Sequence, residues 1–468
     1  MDYKKLAGNL SVAFLAQGIA MCISIATSLF VPKILGVEQF GYWQLFLLYA
    51  SYAGFFHLGV NDGVYLLNGG TPRKDLDKQS AASQFIVSTA FQFLIAVAII
   101  IFSFVVDGGA EREFVVIAVA LYIPVYNAAC YLGFLFQAIG ETKLYSFSVM
   151  IDRLVFLCPL VALILFGVSA FEPYVVAFFV SKVISLVFCM WKAQDILHAK
   201  KLSMQRAIHE TFESMRVGIS LMIANVASIL ILGSMRMIVD FAWGIEAFSE
   251  ISFSLTLVSF ILVFINQASM VLFPALREVD SEERNQFFTT ARNLLSLFLP
   301  ITYLLFVPFK IILLFWLPEY ASSLDYFALL IPICVFDGRM NLISITYFKV
   351  FRWEKCLLVI NLVFMLLSCV VTVLGVYVFE SVNCVLLFVV LIIAARSVFS
   401  EFLLAKRIGV AQGTLWIWEI LLSVIFVFCT VAFSYIISTI IFAVAYAIFL
   451  FANRAKFCEI SKIRKSVG

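Results

Sequence analysis

The stretch LGVEQFGYWQLF, residues 35–46, decides the fold because it returns later in the chain. WGIEAFSEISFS, residues 243–254, repeats Gly36, Glu38 and Phe40 as Gly244, Glu246 and Phe248, and replaces Val37 by Ile245, at a constant offset of 208. A weaker echo pairs GETK, residues 140–143, with RWEK, residues 352–355. The first pair follows the first and seventh apolar runs and the second pair follows the fourth and tenth. Both members of each pair therefore fall on the same side of a membrane, so the repeat is parallel, related by an axis along the membrane normal.

The apolar runs carry the rest of the map. Mean hydropathy is +1.06, with 63% hydrophobic and 13% charged residues, against about 25% charged in soluble domains. Scanning for runs of about 20 apolar residues gives roughly fourteen. The expectation is an all-α, polytopic membrane protein of about 14 transmembrane helices, two parallel six-helix lobes plus two extra helices. The lobes are expected at 1–193 and 217–408, joined by a cytoplasmic linker at 194–216 and followed at 409–468 by two additional helices and a basic cytoplasmic tail.

Charge tests that map independently, because inner loops hold the Lys and Arg. With the N-terminus inside, 25 of the 32 basic residues fall in inner loops and tails, while Lys33 and Arg112 alone fall outside. The asymmetry supports an even number of helices with both termini cytoplasmic. It also accounts for the net charge of +3 without a nucleic-acid partner. Outer loops such as SAFEP, LPEYASS and FESVN leave no space for an extramembrane domain. The linker reads as an amphipathic segment at the membrane surface, and its histidines, His198 and His209, read as surface residues because no third metal ligand is near. The ten cysteines show no CxxC spacing and read as small buried hydrophobes. The first apolar run is too long for a secretory signal core and reads as a retained helix.

The stretches VPKILGVEQFGYWQLF, NLISITYFKVFRWEKCLLVIN and VGISLMIANVASILILGSMRMIVDFAWGIEAFSEISFSL resemble the polysaccharide flippases of the multidrug/oligosaccharidyl-lipid/polysaccharide exporter superfamily, most closely the O-antigen (Wzx-type) flippases. Ser249 departs from that pattern, which favours glycine where the first copy has Gly41. The resemblance implies two lobes around a central cavity that opens alternately to the two faces. It implies movement of an undecaprenyl-diphosphate-linked oligosaccharide outward across a bacterial inner membrane, other glycan-assembly membrane proteins as partners, and no cofactor.

Charges inside the apolar runs are the candidate site. Lys182 lies eight residues from Tyr174 and ten from Lys192, about 12 and 15 Å of helix, near the centre of a hydrocarbon core of about 30 Å. Arg339 and Arg396 sit at similar depth. A charge there costs at least about 2.5 kcal/mol unless it meets water or a partner. Asp337 stands two residues from Arg339, a spacing that does not bring side chains together on a helix. Two readings stand: pairing between helices, or a cationic lining for a diphosphate, with Arg suited to bidentate phosphate contacts and Lys acting as a point charge. Arg236 and Lys310 lie closer to the outer boundary, within reach of headgroups. His57, beside Asn61 and Asp62, is either a proton-coupling group or a hydrogen-bonded structural histidine. Glu419 is either a coupling site or an interfacial residue.

An enzyme is not expected. DLD at 75–77 has the form of a metal-diphosphate motif, but it sits in a short basic loop without a nucleotide-binding pattern, and no nucleophile-base constellation appears. The alternative is a cation-coupled multidrug exporter of the same superfamily, which favours acidic residues at depth in the first lobe. Asp62 and Asp152 both read as lying near inner ends, so the sign of charge favours an anionic cargo.

Overall fold

The computed structural model describes residues 3–105, 108–278 and 281–454, with side chains except those of 3–17, 19–22, 25, 264, 266–278 and 281. The expected inner charges Lys4, Lys5 and Arg277, and the basic tail beyond Arg454, lie outside the described side chains. Every regular element among the described residues is helical. The chain divides into two compact units, Met1–Val226 and Ala227–Gly468, and the segment 194–216 falls inside the first.

The first unit comprises α1 (Tyr3–Ser51), α2 (Val60–Leu67), α3 (Lys78–Ser103), α4 (Ala110–Ala138), α5 (Thr142–Leu165), α6 (Glu172–Lys192), the single turn α7 (Gln194–Leu197) and the start of α8 (Met204–Glu278). The second holds the rest of α8, then α9 (Ser281–Phe298), α10 (Phe306–Trp316), α11 (Ala321–Leu330), α12 (Pro332–Arg339), α13 (Thr346–Val350), α14 (Glu354–Tyr377), α15 (Val382–Ile408), α16 (Leu415–Ala432) and α17 (Tyr435–Ala452). Short 3-10 and π segments join several of these.

The two copies of the sequence repeat have the same backbone. Gly36 interrupts α1 at φ 70°, ψ −179°, and Gly244 interrupts α8 at φ 82°, ψ −175°. That region of φ/ψ space is open only to glycine, so the repeated glycine is the residue that lets each helix turn without ending. The continuity of α1 and α8 through these breaks bears on the helix count. Among the described residues ten helices are long and apolar enough to cross a membrane, or eleven if Pro318–Leu330 and Pro332–Val350, bent by 46°, form one span. That count takes Met204–Val263 as one helix although it runs through the break at Gly244, and it does not include α1, whose N-terminal side chains lie outside those described. The 75 residues of α8 would extend about 110 Å as a straight rod, far beyond one bilayer.

The linker carries helix of its own. From Met204 it is continuous helix with the apolar run that follows. It is fastened within the first unit: the Leu202 N–H donates to Ser83 Oγ at 2.9 Å, Ser214 Oγ donates to Gln84 Oε1 at 2.7 Å, and Ser80 Oγ donates to Glu210.

Each unit packs around a sealed helix. In the first, 61% of the apolar window of α4 is buried against 22% for α3, which places α4 inside and leaves Leu94, Val97 and Ile101 of α3 facing outward. Trp43, Phe46, Tyr122, Phe156 and Phe178 form one aromatic cluster beside it. In the second unit α12 is enclosed, with Ile333, Val335 and Phe336 buried. Tyr303 stacks on Phe426 and meets Phe442 edge-on, which binds α16 and α17 into that unit.

Candidate functional site

Lys182, ten residues into α6, donates to Asp152 Oδ2 of α5 at 2.6 Å, and the two side chains are 14% and 11% exposed. Ser181 Oγ donates to Asp152 Oδ1 at 3.2 Å and Ser185 Oγ to Ser148 O at 2.9 Å. The serine stripe beside the lysine thus faces α5. Lys182 Nζ also stands 5.5 Å from the centroid of the Tyr126 ring on α4. The pairing places Asp152, ten residues into α5, level with Lys182.

The second unit carries a larger charge network. Arg339, at the end of α12, donates from Nη1 to Glu419 Oε2 of α16 at 2.5 Å. Its Nε lies 3.3 Å from Glu401 Oε2 of α15. Arg292 of α9 reaches the other Glu401 oxygen at 3.8 Å and donates to the Ala411 carbonyl at 3.0 Å. Beside this cluster, Arg396 of α15 donates to Asp337 Oδ1 of α12 at 2.5 Å and to Ser228 Oγ of α8 at 3.3 Å. Asp337 and Arg339 do not pair with each other, as their spacing dictates. Each finds its counter-charge on α15, in crossed order: acid to Arg396, base to Glu401. Of the two readings open for the mid-span cations, pairing between helices holds for Lys182, Arg339 and Arg396 alike.

Glu419 is fully buried. Ser423 Oγ donates to its backbone carbonyl at 2.6 Å, and Tyr303 shares a hydrogen bond of 2.7 Å with that Ser423 hydroxyl. Lys310 pairs with the exposed Asp325 at 2.7 Å, as suits a boundary residue. Arg236 donates from Nε to Ser252 Oγ at 3.0 Å and lies over the Phe248 ring. His57 is buried, with Nδ1 accepting from the Gly59 N–H at 2.9 Å and Nε2 3.7 Å from Asp62 Oδ2. An apolar groove of about 1050 Å³ runs along α15 and α16, walled by Phe336, Leu391, Trp416 and Ile420, with Glu401 and Ser423 as polar points.

Sequence reasoning missed Asp152, Asp337, Glu401 and Arg292 as members of these clusters, and it missed Arg73. Arg73, in the loop before α3, donates to Glu141 Oε2 and to Asp195 Oδ1, each at 2.6 Å, and to the Lys192 carbonyl at 2.6 Å. Lys78 adds a 2.7 Å bond to Asp195. This knot joins three loops outside the spans. Hydrogen bonding by Arg73 holds the Asp195 carboxyl well below the usual carboxylate range, and Asp195 in turn raises the Arg73 guanidinium. The only available signal was that RK and GETK lie in loops of the same face. Asp77 of the DLD triplet is the N-cap of α3, accepting from the Gln79 and Ser80 N–H groups at 3.1 and 3.0 Å. Among the described residues no cluster of His, Cys, Asp and Glu could hold a metal ion.

The sequence matches the polysaccharide biosynthesis protein family over residues 6–279. The chain belongs to that family. No curated protein matches the sequence, so further likeness comes from solved structures. The lipid II flippase MurJ, in an inward closed conformation, superposes with a TM-score of 0.65 at 11% identity, covering 96% of this chain and 99% of its own. A Vibrio cholerae MATE transporter, VcmN, gives 0.58 at 14% identity, over 88% and 98%. An inward-facing multidrug resistance MATE family transporter of the MOP superfamily gives 0.57 at 13%, over 84% and 98%. At these identities the likeness is one of fold. This polysaccharide biosynthesis family member thus has a multi-pass membrane transporter fold.

Proposed function

We propose that the protein is a flippase that carries a polyprenyl-diphosphate-linked oligosaccharide, an O-antigen or similar repeat unit on undecaprenyl diphosphate, from the cytoplasmic to the outer face of a bacterial inner membrane by alternating access. The observation that carries this reading is the polysaccharide biosynthesis family match over more than half the chain. A fold shared with a lipid II flippase over 96% of the chain supports it.

The five cations take different parts in this reading. Lys182 and Arg396 are the contacts offered to the diphosphate. Each holds a single carboxylate, Asp152 or Asp337, that phosphate oxygens can replace with charge-assisted bonds of the same kind. Arg236 and Lys310 serve the headgroup near the outer boundary. Arg339, 1% exposed between two acids, holds the helices that present Arg396. The apolar groove along α15 and α16 offers an isoprenoid chain a surface with few polar groups.

The second reading, a cation-coupled multidrug exporter with both termini equally cytoplasmic, draws on one observation: Asp152 is an acid level with Lys182 in the first unit and paired with it. One experiment separates the two. The gene is deleted in a glycan-producing host, surface polysaccharide and lipid-linked repeat units are scored, and the strain is complemented with wild type, Lys182→Ala or Arg396→Ala. The flippase reading expects loss of surface glycan with lipid-linked units retained on the cytoplasmic face. Wild type restores export, and each well-expressed variant restores it about tenfold less, the worth of one charged hydrogen bond. Unchanged glycan with new sensitivity to cationic drugs would establish the exporter instead.

A further inference from the structure

We infer that His57 is a proton-binding site of the first unit, and that proton uptake there releases the turn that seats α2 against α8. The inference goes beyond the choice of cargo and holds whichever substrate is carried.

The chain leaves the 3-10 segment Ala53–His57 through Leu58, at φ 50°, and Gly59, at φ 88°, before entering α2 at Val60. Two successive left-handed residues make a sharp turn, and one hydrogen bond closes it: the Gly59 N–H donates to His57 Nδ1 at 2.9 Å. The arrangement matches an Asx-turn, in which a side chain accepts from the backbone two residues on. To accept, Nδ1 must carry a lone pair, which puts the ring proton of neutral His57 on Nε2. That nitrogen faces Asp62 Oδ2 at 3.7 Å. A second proton has only Nδ1 to occupy, and there it removes the acceptor and sets two donors against each other. Protonation of His57 and closure of the turn are therefore mutually exclusive, and Asp62 stands ready to balance the imidazolium.

The surroundings let the proton arrive and direct what then moves. His57 borders a recess of about 150 Å³ that it shares with Ser88 and Gln92 of α3 and Thr211 of α8. From α4 comes Asn127, whose Nδ2 donates to Gln92 Oε1 at 3.0 Å. Asp62 is the charged group among these neighbours. The segment before the turn is pinned from outside: Gln92 donates to the Phe56 carbonyl at 2.6 Å and Asn127 to the Ala53 carbonyl at 2.8 Å. Within 58–63, Asn61 Nδ2 also donates to the Asn127 carbonyl at 3.2 Å, so displacement falls on the turn at 58–60 and on the backbone crossing at Gly63. Those residues touch α8 backbone to backbone. A methyl group added at Gly63 would lie 1.8 Å from the Ser214 carbonyl oxygen, one at Gly59 would lie 2.5 Å from the Ile219 nitrogen, and one at Gly218 would lie 2.0 Å from the Gly59 oxygen. With no slack in that crossing, release of Gly59 has to shift the 214–219 stretch of α8.

The test is hydrogen–deuterium exchange of the full chain in lipid nanodiscs at about pH 8 and about pH 3.5, a range wide enough to charge a buried imidazole, with labelling times scaled for intrinsic exchange. Wild type is expected to exchange about tenfold faster at the lower pH in peptides covering 58–63 and 211–219, the loss of one hydrogen bond. His57→Asn, whose carbonyl accepts from Gly59 but does not titrate, is expected to stay slow at both, and His57→Ala to be fast at both. An acid response that persists in His57→Asn, or none in wild type, overturns the proposal. If the variants do not fold, nitrogen-15 shifts of the wild-type imidazole decide: Nδ1 must be the nitrogen that gains the proton, and gain at Nε2 overturns it.

Discussion

At the scale of single residues, the question is what a charge costs in the middle of a membrane, and the protein answers with neutrality rather than exposure. Arg339 is sealed between Glu401 and Glu419, and Arg292 also balances Glu401. Removing one member of a buried pair leaves the other unsolvated, which costs about 3–5 kcal/mol, whereas replacing both by apolar groups is often near neutral. Arg339→Leu is therefore expected to destabilise the detergent-solubilised protein by about that amount, and Arg339→Leu with Glu419→Leu to recover part of it, as read by thermal unfolding in a double-mutant cycle. Equal stability of the single variant and wild type would show that the network bears no energy. That Lys182, Arg339 and Arg396 fall inside apolar runs was legible in the sequence by counting along each run. Their partners were not, since Asp152, Asp337 and Glu419 lie 30, 59 and 80 residues away from the cations they meet. Spacing rules could only exclude a partner, and they did so rightly for Asp337 with Arg339.

At the scale of elements, the polar segment before α8 shows why composition misleads about linkers. It reads as a surface strap because it is charged and sits between apolar runs. Where it runs on into α8, Ser214 and the following Gly218 let the helix close on α2 without side chains between them, the same use of small residues that governs helix crossings in membranes. The Arg73 knot holds the adjoining loops. Asp195 has its folded pKa depressed below the unfolded value of 3.8, chiefly by Arg73. A depressed carboxylate contributes stability that is fully present above its unfolded pKa and is lost as pH falls toward the folded value. The knot is therefore expected to hold without change from about pH 7 to about pH 5 and to fail only in strong acid. Trypsin cleavage at Lys192 and Lys200 measures this: wild type resists equally across that range, and Asp195→Asn is cut faster at every pH. Accelerated cleavage of wild type at the acid end of the range would place the titrating group elsewhere.

For the whole molecule, the duplicated sequence explains the backbone better than it explains the charges. Gly36 and Gly244 keep one conformation across 208 residues of separation, while the buried ions differ: one pair by Lys182 in the first unit, a network on α9, α12, α15 and α16 in the second. Backbone geometry is inherited with a glycine, because no other residue will serve, whereas an ion pair can be rebuilt wherever two helices meet. That asymmetry is testable at the glycines themselves. At Gly244, φ 82° and ψ −175° lie where even asparagine gains nothing, so Gly244→Ala and Gly244→Asn should cost about the same, 1–3 kcal/mol each. No atom lies within 4 Å of a methyl group added there, so the cost is one of backbone alone. Gly409 closes α15 at φ 72° and ψ 24°, the left-handed helical region that asparagine tolerates. Gly409→Asn should then keep most of its stability while Gly409→Ala loses about 1 kcal/mol or more. Thermal unfolding of the four variants reads the difference directly. If asparagine rescued position 244 as it does 409, the break in α8 would be an ordinary helix cap, and the shared conformation of the two repeats would no longer require glycine.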